Sequence, residues 1–237
     1  MKEAMTDFKE FMQDPETEYL DGVVYSREHI LVCVGCMTDS APEKTSMTRF
    51  TRAKDEWFYV HDAQKGFNSS SSVPTTDYIP MCDYLFRYDR GGFWVGTYAI
   101  RYFLLPFYWI TRYLIDQMMH TRVLYHVLHA SGHSRFFFIQ DVAVPFIAAA
   151  EFLDWLGEGQ NFGCYPIWIC PFKNSPGVME SGYVRGDDYL MNFGLWAPST
   201  HNRRDFVSQN RRLEQKVHSL HGKKWLYAHT YYTEDEF

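Results

Sequence analysis

Two groups of residues have side chains and spacings suited to holding a metal. Cys33-Val-Gly-Cys36 is a C-x-x-C pair with no second pair elsewhere. A structural zinc site needs four ligands. The pair lies in a strand-like run, Ile30 to Met37, where residues three apart point to opposite faces, so two packed thiols are the plainer reading. His120, His126, His129 and His133 form the second group. Positions 126, 129 and 133 share one face of a helix. A metal site would also want a carboxylate or thiol nearby, and Gly132 is placed to end the helix before His133. The chain has no G-x-S-x-G, no G-x-G-x-x-G and no phosphate-binding loop, and spacing alone pairs no cysteine with a histidine. Residues 78–92 mix aromatic rings with Arg87, Asp89 and Arg90. Such a mixture lines a polar-rimmed pocket or forms surface ion pairs, and the residues alone favour neither.

The elements that would position these residues follow from hydrophobic period. Residues 1–13 have Met5, Phe8, Phe11 and Met12 near one helical face, and Pro15 closes the helix. Asp21 to Tyr25 and His29 to Met37 read as a hairpin. Thr38 to Thr48 is a polar loop, Trp57 to Val60 is an element of undetermined type, and Ser69 to Ser72 is a solvated loop. Phe136 to Val144 and Cys164 to Cys170 are short apolar runs that each end at a proline, with a helix from Pro145 to about Leu156 between them. A Pro/Gly loop spans 171–186, Tyr189 to Leu195 is a strand, and Arg203 to Leu220 is a helix capped by Gly222. Trp225 to Tyr231 is the last strand, and Thr233 onward begins a further helix. The order from residue 136 is β-α-β-β-α-β. It predicts an α+β fold: an antiparallel sheet with a ferredoxin-like core, helices on one face, and the first hairpin extending the sheet.

Residues 93–115 are the most hydrophobic long stretch. Ten Phe, Leu, Ile and Val there are worth about −3 to −6 kcal/mol of membrane insertion, and Arg101 and Arg112 cost about 2.5 to 3.5 kcal/mol each. The sum disfavours a spanning helix, and Pro106 adds a break. Its Trp and Tyr rings with two arginines suit a membrane interface; a buried helix pair bent at Pro106 fits as well.

Composition sets the outer limits. Hydrophobic residues at 46% and charged residues at 22% provide a core for one large or two small domains in 237 residues. Aromatics at 18% either build a pocket for a large apolar ligand or simply fill the core. A net charge of −6 excludes a strong electrostatic case for nucleic acid. Five irregularly spaced cysteines form no disulfide framework, and no cleavable signal pattern is read at the start, so a reduced, cytosol-facing setting is the expectation.

Several segments carry a resemblance. Gln140-Asp-Val-Ala-Val-Pro145, Tyr165-Pro-Ile-Trp-Ile-Cys-Pro171 and Leu220-His-Gly-Lys-Lys-Trp-Leu-Tyr-Ala-His229 resemble the C-terminal half of the Δ24-sterol reductases, the Diminuto family of vanillyl-alcohol-oxidase-type FAD oxidoreductases. Gly22 to Ser26 and Gly35 to Asp39 resemble the start of that half, and Tyr78 to Pro80 a later part. Sterol-reducing relatives tend to carry an acidic residue after a Phe-Trp pair, where this protein has Val95.

The resemblance implies a substrate-covering cap, residues 1–237, without the FAD-binding domain: a joining helix at 1–15, an aromatic helical insertion at 93–130, a ferredoxin-like core at 136–231, and a polypeptide that is a fragment. It implies FAD, bound mostly by the missing domain in cis or in trans, with NADPH as reductant and hydride transfer from flavin to a sterol C=C bond. A proton donor completes that addition. Tyr227 and His229 are the implied catalytic residues, and Tyr231 shares their face if 225–231 is a strand. Tyr165 and Trp168 would pack against flavin or substrate, and Arg87 would steady flavin or a polar head group. The implied partners are a sterol or similar lipid and a membrane surface met through 93–115. The implied location is the endoplasmic reticulum membrane, or the cytoplasm if the polypeptide acts alone. A non-catalytic lipid-binding module, or an FAD-linked oxidase with another substrate, remains the alternative.

Overall fold

The computed structural model describes residues 2–68, 74–172 and 189–236. The expected Ser69–Ser72 loop and most of the expected 171–186 loop lie outside the described residues.

In sequence order the elements are α1 (Lys2–Gln13), β1 (Tyr19–Val24), β2 (Ile30–Gly35), α2 (Phe58–Asn68), α3 (Met81–Leu85), α4 (Val95–Tyr102), α5 (Trp109–Leu114), α6 (Thr121–Ala130), β3 (Phe137–Pro145), α7 (Ala149–Leu156), β4 (Ile167–Phe172), β5 (Leu190–Pro198), α8 (Arg203–Ser219) and β6 (Lys223–Lys224). The chain divides into two compact units, residues 1–37 with 136–237, and residues 38–135.

The first unit is built on a six-stranded sheet in the order β2-β1-β4-β5-β3-β6, antiparallel at every pairing. Strands β4-β5-β3-β6 with α7 and α8 have the ferredoxin-like connectivity, and the β1–β2 hairpin extends the sheet beyond β4, as the sequence predicts. The longest pairing runs from Phe137 opposite Pro198 to Pro145 opposite Leu190. Strand alternation sorts the side chains. Phe138, Val142 and Val144 of β3, Ile167 and Ile169 of β4, and Met191, Phe193 and Leu195 of β5 enter one buried core. Helix α1 contributes Met5 and Phe8 to that core, α7 contributes Phe152, Leu153 and Leu156, and α8 contributes Leu213 and Val217. All three helices therefore cover one face of the sheet. Truncating a fully buried ring such as Phe152 to alanine costs about 3–5 kcal/mol.

The expected last strand needs correction. Residues 225–231 do not form a strand; β6 stops after two residues paired with Val142 and Ala143. Beyond it, side chains and a turn provide the backbone partners. Trp225 N–H reaches the Asp141 carbonyl at 2.9 Å, and Tyr231 N–H reaches Glu214 Oε1 at 2.9 Å. The His229 carbonyl accepts from Gln140 Nε2 at 2.8 Å and from Lys224 Nζ. With these groups satisfied, the segment needs no ladder. The cap of α8 also differs. Gly222 N–H bonds to the Val217 carbonyl and His221 N–H to the His218 carbonyl, which is a Schellman closure. The left-handed position is His221, at φ +57°, and Gly222 follows it. Glycine is needed there for space: a Cβ at Gly222 would lie 2.5 Å from the Ala143 carbonyl oxygen.

In the second unit the stretch around Trp57 resolves into α2. Residues 93–115 form α4 and α5, separated by a turn around Pro106. They are not a buried pair: Trp94 and Ile100 are buried, while α5 buries none of its residues. Arg90 is the polar centre of the unit. Its Nε donates to Asp116 Oδ1 at 2.7 Å, and its other nitrogens donate to the carbonyls of Phe50, Asp55 and Ala53 at 2.9 to 3.1 Å. A buried guanidinium is tolerated because its donors are met. No helix among the described residues is long and apolar enough to cross a membrane.

Candidate functional site

The sheet face opposite the helices has a different chemistry. Asp21 of β1, Trp168 and Cys170 of β4, Asn192, Gly194 and Trp196 of β5, and Asp141 and Ala143 of β3 alternate with the core residues and so share this second face. Trp168 stands opposite Gly194, and Gly194 opposite Asp141, in one row across three strands. Trp196 folds back over Gly194, where an added Cβ would lie 2.4 Å from the indole. That lets Trp196 stack on Trp168, with ring centroids 6.4 Å apart and planes 28° apart. Trp168 Nε1 donates to Asp21 Oδ2 at 3.1 Å. Phe172 and Trp225 pack together at 6.0 Å near the other end of β4.

Asp141 is the ionisable centre of this face. Asn192 Nδ2 donates to its Oδ1 at 2.6 Å, and the Tyr227 hydroxyl donates to its Oδ2 at 3.2 Å. Burial pushes the Asp141 carboxyl above the usual carboxylate range, and the two hydrogen bonds only partly offset it. Asn192 is 1% exposed, and its Oδ1 has no hydrogen-bond partner. Tyr227 is 54% exposed, so its hydroxyl joins a buried acid to an accessible surface. A buried acid behind an accessible phenol can hold or pass a proton.

The structure separates the other residues expected at the site. Trp168 lies on this face. Tyr165 packs against the helix-side core, where its hydroxyl and Arg27 Nε both stand close to Gly157. Burial raises its phenol, and the Arg27 guanidinium offsets part of that. His229 and Tyr231 turn toward α8: both rings contact Phe206, at 5.7 and 6.3 Å, and the Tyr231 hydroxyl accepts from Arg203 at 3.0 Å. Tyr227, His229 and Tyr231 therefore do not share a face, because the segment that carries them is not a strand. Arg87 belongs to the second unit. Its guanidinium lies 3.9 Å from the Tyr84 ring centre and 4.6 Å from that of Tyr88, and it donates to the Tyr84 carbonyl at 2.9 Å.

Sequence reasoning missed Asp141 and Asn192 as site residues. The signal was a carboxylate in the middle of an apolar nine-residue strand, facing an amide in a second such strand. Among the described residues, no group of three His, Cys, Asp or Glu is arranged to hold a metal. His129 packs on Tyr125 at 4.2 Å and His133 on Tyr102 at 5.5 Å. All five cysteines are free thiols.

Comparison with known proteins adds one observation. The chain is related in sequence to the Delta(24)-sterol reductases. It is 26% identical to the Homo sapiens protein over 232 residues, covering 95% of its own length and 43% of the relative. The Rattus norvegicus and Mus musculus proteins are each 26% identical over 231 residues, covering 94% of the present sequence and 42% of theirs. The chain thus spans less than half the length of the curated relatives it matches. No family model matches it.

Proposed function

We propose that this protein is the substrate-covering part of an FAD-linked oxidoreductase that reduces a C=C bond in the tail of a sterol or similar lipid, with Tyr227 as proton donor and Asp141 behind it. The observation that carries this reading is the hydrogen-bonded row Asn192–Asp141–Tyr227 on an aromatic sheet face, in a protein related to Delta(24)-sterol reductases. An FAD domain acts in cis or in trans, with NADPH as reductant, and the complete protein works at the endoplasmic reticulum membrane.

The residues present fit one side of a flat ring system. Trp168 and Trp196 offer planar faces, and Asn192 Oδ1 is a buried acceptor with no hydrogen-bond partner that suits a ring N–H. FAD, when bound, supplies the hydride. The protein's own residues would manage the proton. With Asp141 protonated, its O–H turns toward the Tyr227 oxygen and frees the Tyr227 O–H to face outward. Tyr227 then gives its proton to the second carbon of the double bond, and Asp141 restores it. Asn192 holds the Asp141 carboxyl in place throughout. The indoles of Trp168 and Trp196 exclude water and pack against the apolar substrate.

The test is sterol-dependent NADPH oxidation by the polypeptide joined to an FAD-binding domain. Tyr227→Phe should lower turnover about a hundredfold or more while leaving KM within a small factor. Unchanged turnover removes Tyr227 from the chemistry. Failure of a Δ24-sterol to oxidise NADPH in the unmodified protein overturns the substrate.

A further inference from the structure

We propose that β2 pairs edge to edge with β2 of a second copy of this protein and joins two sheets into one. This goes beyond the redox reading and does not depend on it. Among the described residues β2 is an outer strand: it pairs with β1 on one side and with no strand on the other. An outer strand presents a row of backbone N–H and C=O groups that a second extended chain can meet. Natural edges are blunted by lysine, proline, bulges or shortness. Ile30-Leu-Val-Cys-Val-Gly35 has no charge and no proline, and it keeps an unbroken register with β1 along its whole length. Val34 is 44% exposed, and the rest of the strand is half-buried.

Three contacts show which backbone groups β1 leaves over. The His29 carbonyl accepts from Tyr25 N–H at 2.8 Å, and the Gly35 carbonyl accepts from Glu18 N–H at 3.0 Å. A Cβ at Gly22 would lie 2.6 Å from the Leu31 carbonyl oxygen, so that carbonyl also points at β1. Backbone groups alternate in direction along an antiparallel strand. Ile30, Val32 and Val34 therefore turn their N–H and C=O groups away from β1, and no described residue bonds to them there.

The same geometry selects a second copy as the occupant. Laid antiparallel on itself with Val32 opposite Val32, the strand sets Ile30 opposite Val34 on each side of a two-fold axis. Each of these pairs can exchange two N–H···O bonds, and each sets one β-branched side chain against another. Beyond the strand the register sets Glu28 opposite Cys36 and Arg27 opposite Met37, so no like charges meet. One patch thus meets itself, as the isologous contact of a two-fold dimer requires. With the axis perpendicular to the sheet, the faces that carry Asp141 open to the same side in both copies. The contact is small, so the dimer depends on concentration.

Sedimentation velocity of the full polypeptide over a concentration series, without sterol or cofactor, tests this, so its outcome is separate from that of the redox reading. A monomer–dimer equilibrium is expected. Val34→Lys should weaken the dimer by at least about tenfold, with an unchanged circular dichroism spectrum and melting temperature. Val32→Pro should do the same, since it removes an N–H that β1 does not use. Leu31→Cys checks the register. Position 31 of one copy falls opposite Cys33 of the other in a non-hydrogen-bonded pair, about 4.5 Å between Cα atoms, which is within reach of a disulfide. Mild oxidation with diamide should give a covalent dimer that dithiothreitol splits and that Cys33→Ser abolishes. A monomer at every concentration overturns the proposal. So does a dimer that either folded edge variant retains, or growth into ever larger particles with no dimer plateau. A dimer that Leu31→Cys does not cross-link overturns the register.

Discussion

The Tyr227 hydroxyl donates to Asp141 Oδ2 at 3.2 Å, joining residues 86 positions apart. The contact links a half-exposed phenol to a carboxyl that burial holds above its usual range. Its two members should respond differently to substitution.

Tyr227→Phe keeps the ring and loses the hydrogen bond. The expected change in stability is within about 1 kcal/mol, the net contribution of a typical hydrogen bond. Urea unfolding of the isolated polypeptide measures this, and together with the turnover assay it separates a chemical role from a structural one.

Asp141→Asn should raise stability at neutral pH. A folded-state value above the unfolded one means that ionisation opposes folding. The penalty is absent below the unfolded carboxylate range, grows as pH rises toward the folded value, and is full above it. Asn192 can accept through its presently unpartnered Oδ1 after an amide flip, so the network survives. The gain should shrink in acid, read as a difference in melting temperature against pH. Under the proposed mechanism, activity that needs protonated Asp141 should fall as pH rises through the folded value.

Lys224 and Glu214 form a buried ion pair at 2.6 Å, and Glu214 also accepts from Tyr231 N–H. Removing one member leaves a charge stranded. Glu214→Gln should cost about 3–5 kcal/mol, and Glu214→Leu with Lys224→Met should recover most of it. A double-mutant cycle in urea checks the coupling; additive single effects would contradict it.

His221→Gly should stabilise the protein by about 0.5–1 kcal/mol, since His221 holds the left-handed cap position at φ +57°. Gly222→Ala should destabilise it, because the new Cβ meets the Ala143 carbonyl. Thermal melts of the two variants should move in opposite directions.

The sequence by itself determined the order of strands and helices in the first unit, up to the end of α8. That order depends on local pattern: Phe136 to Val144 is a short apolar run closed by Pro145, and Phe152, Leu153 and Leu156 recur along α7, whatever the rest of the polypeptide does. It left the aromatic stretch open between a membrane interface and a buried helix pair. Only the tertiary structure decided the site. Residues 225–231 read as a strand by composition, but Glu214, Gln140 and Lys224 meet their backbone groups, so Tyr227 reaches Asp141 while His229 and Tyr231 turn to Phe206. Glu214 lies in α8 and Gln140 in β3, too distant in sequence for any local pattern to report them. Burial, which shifts the Asp141 carboxyl, arises only when the strands and the turn after β6 come together around it.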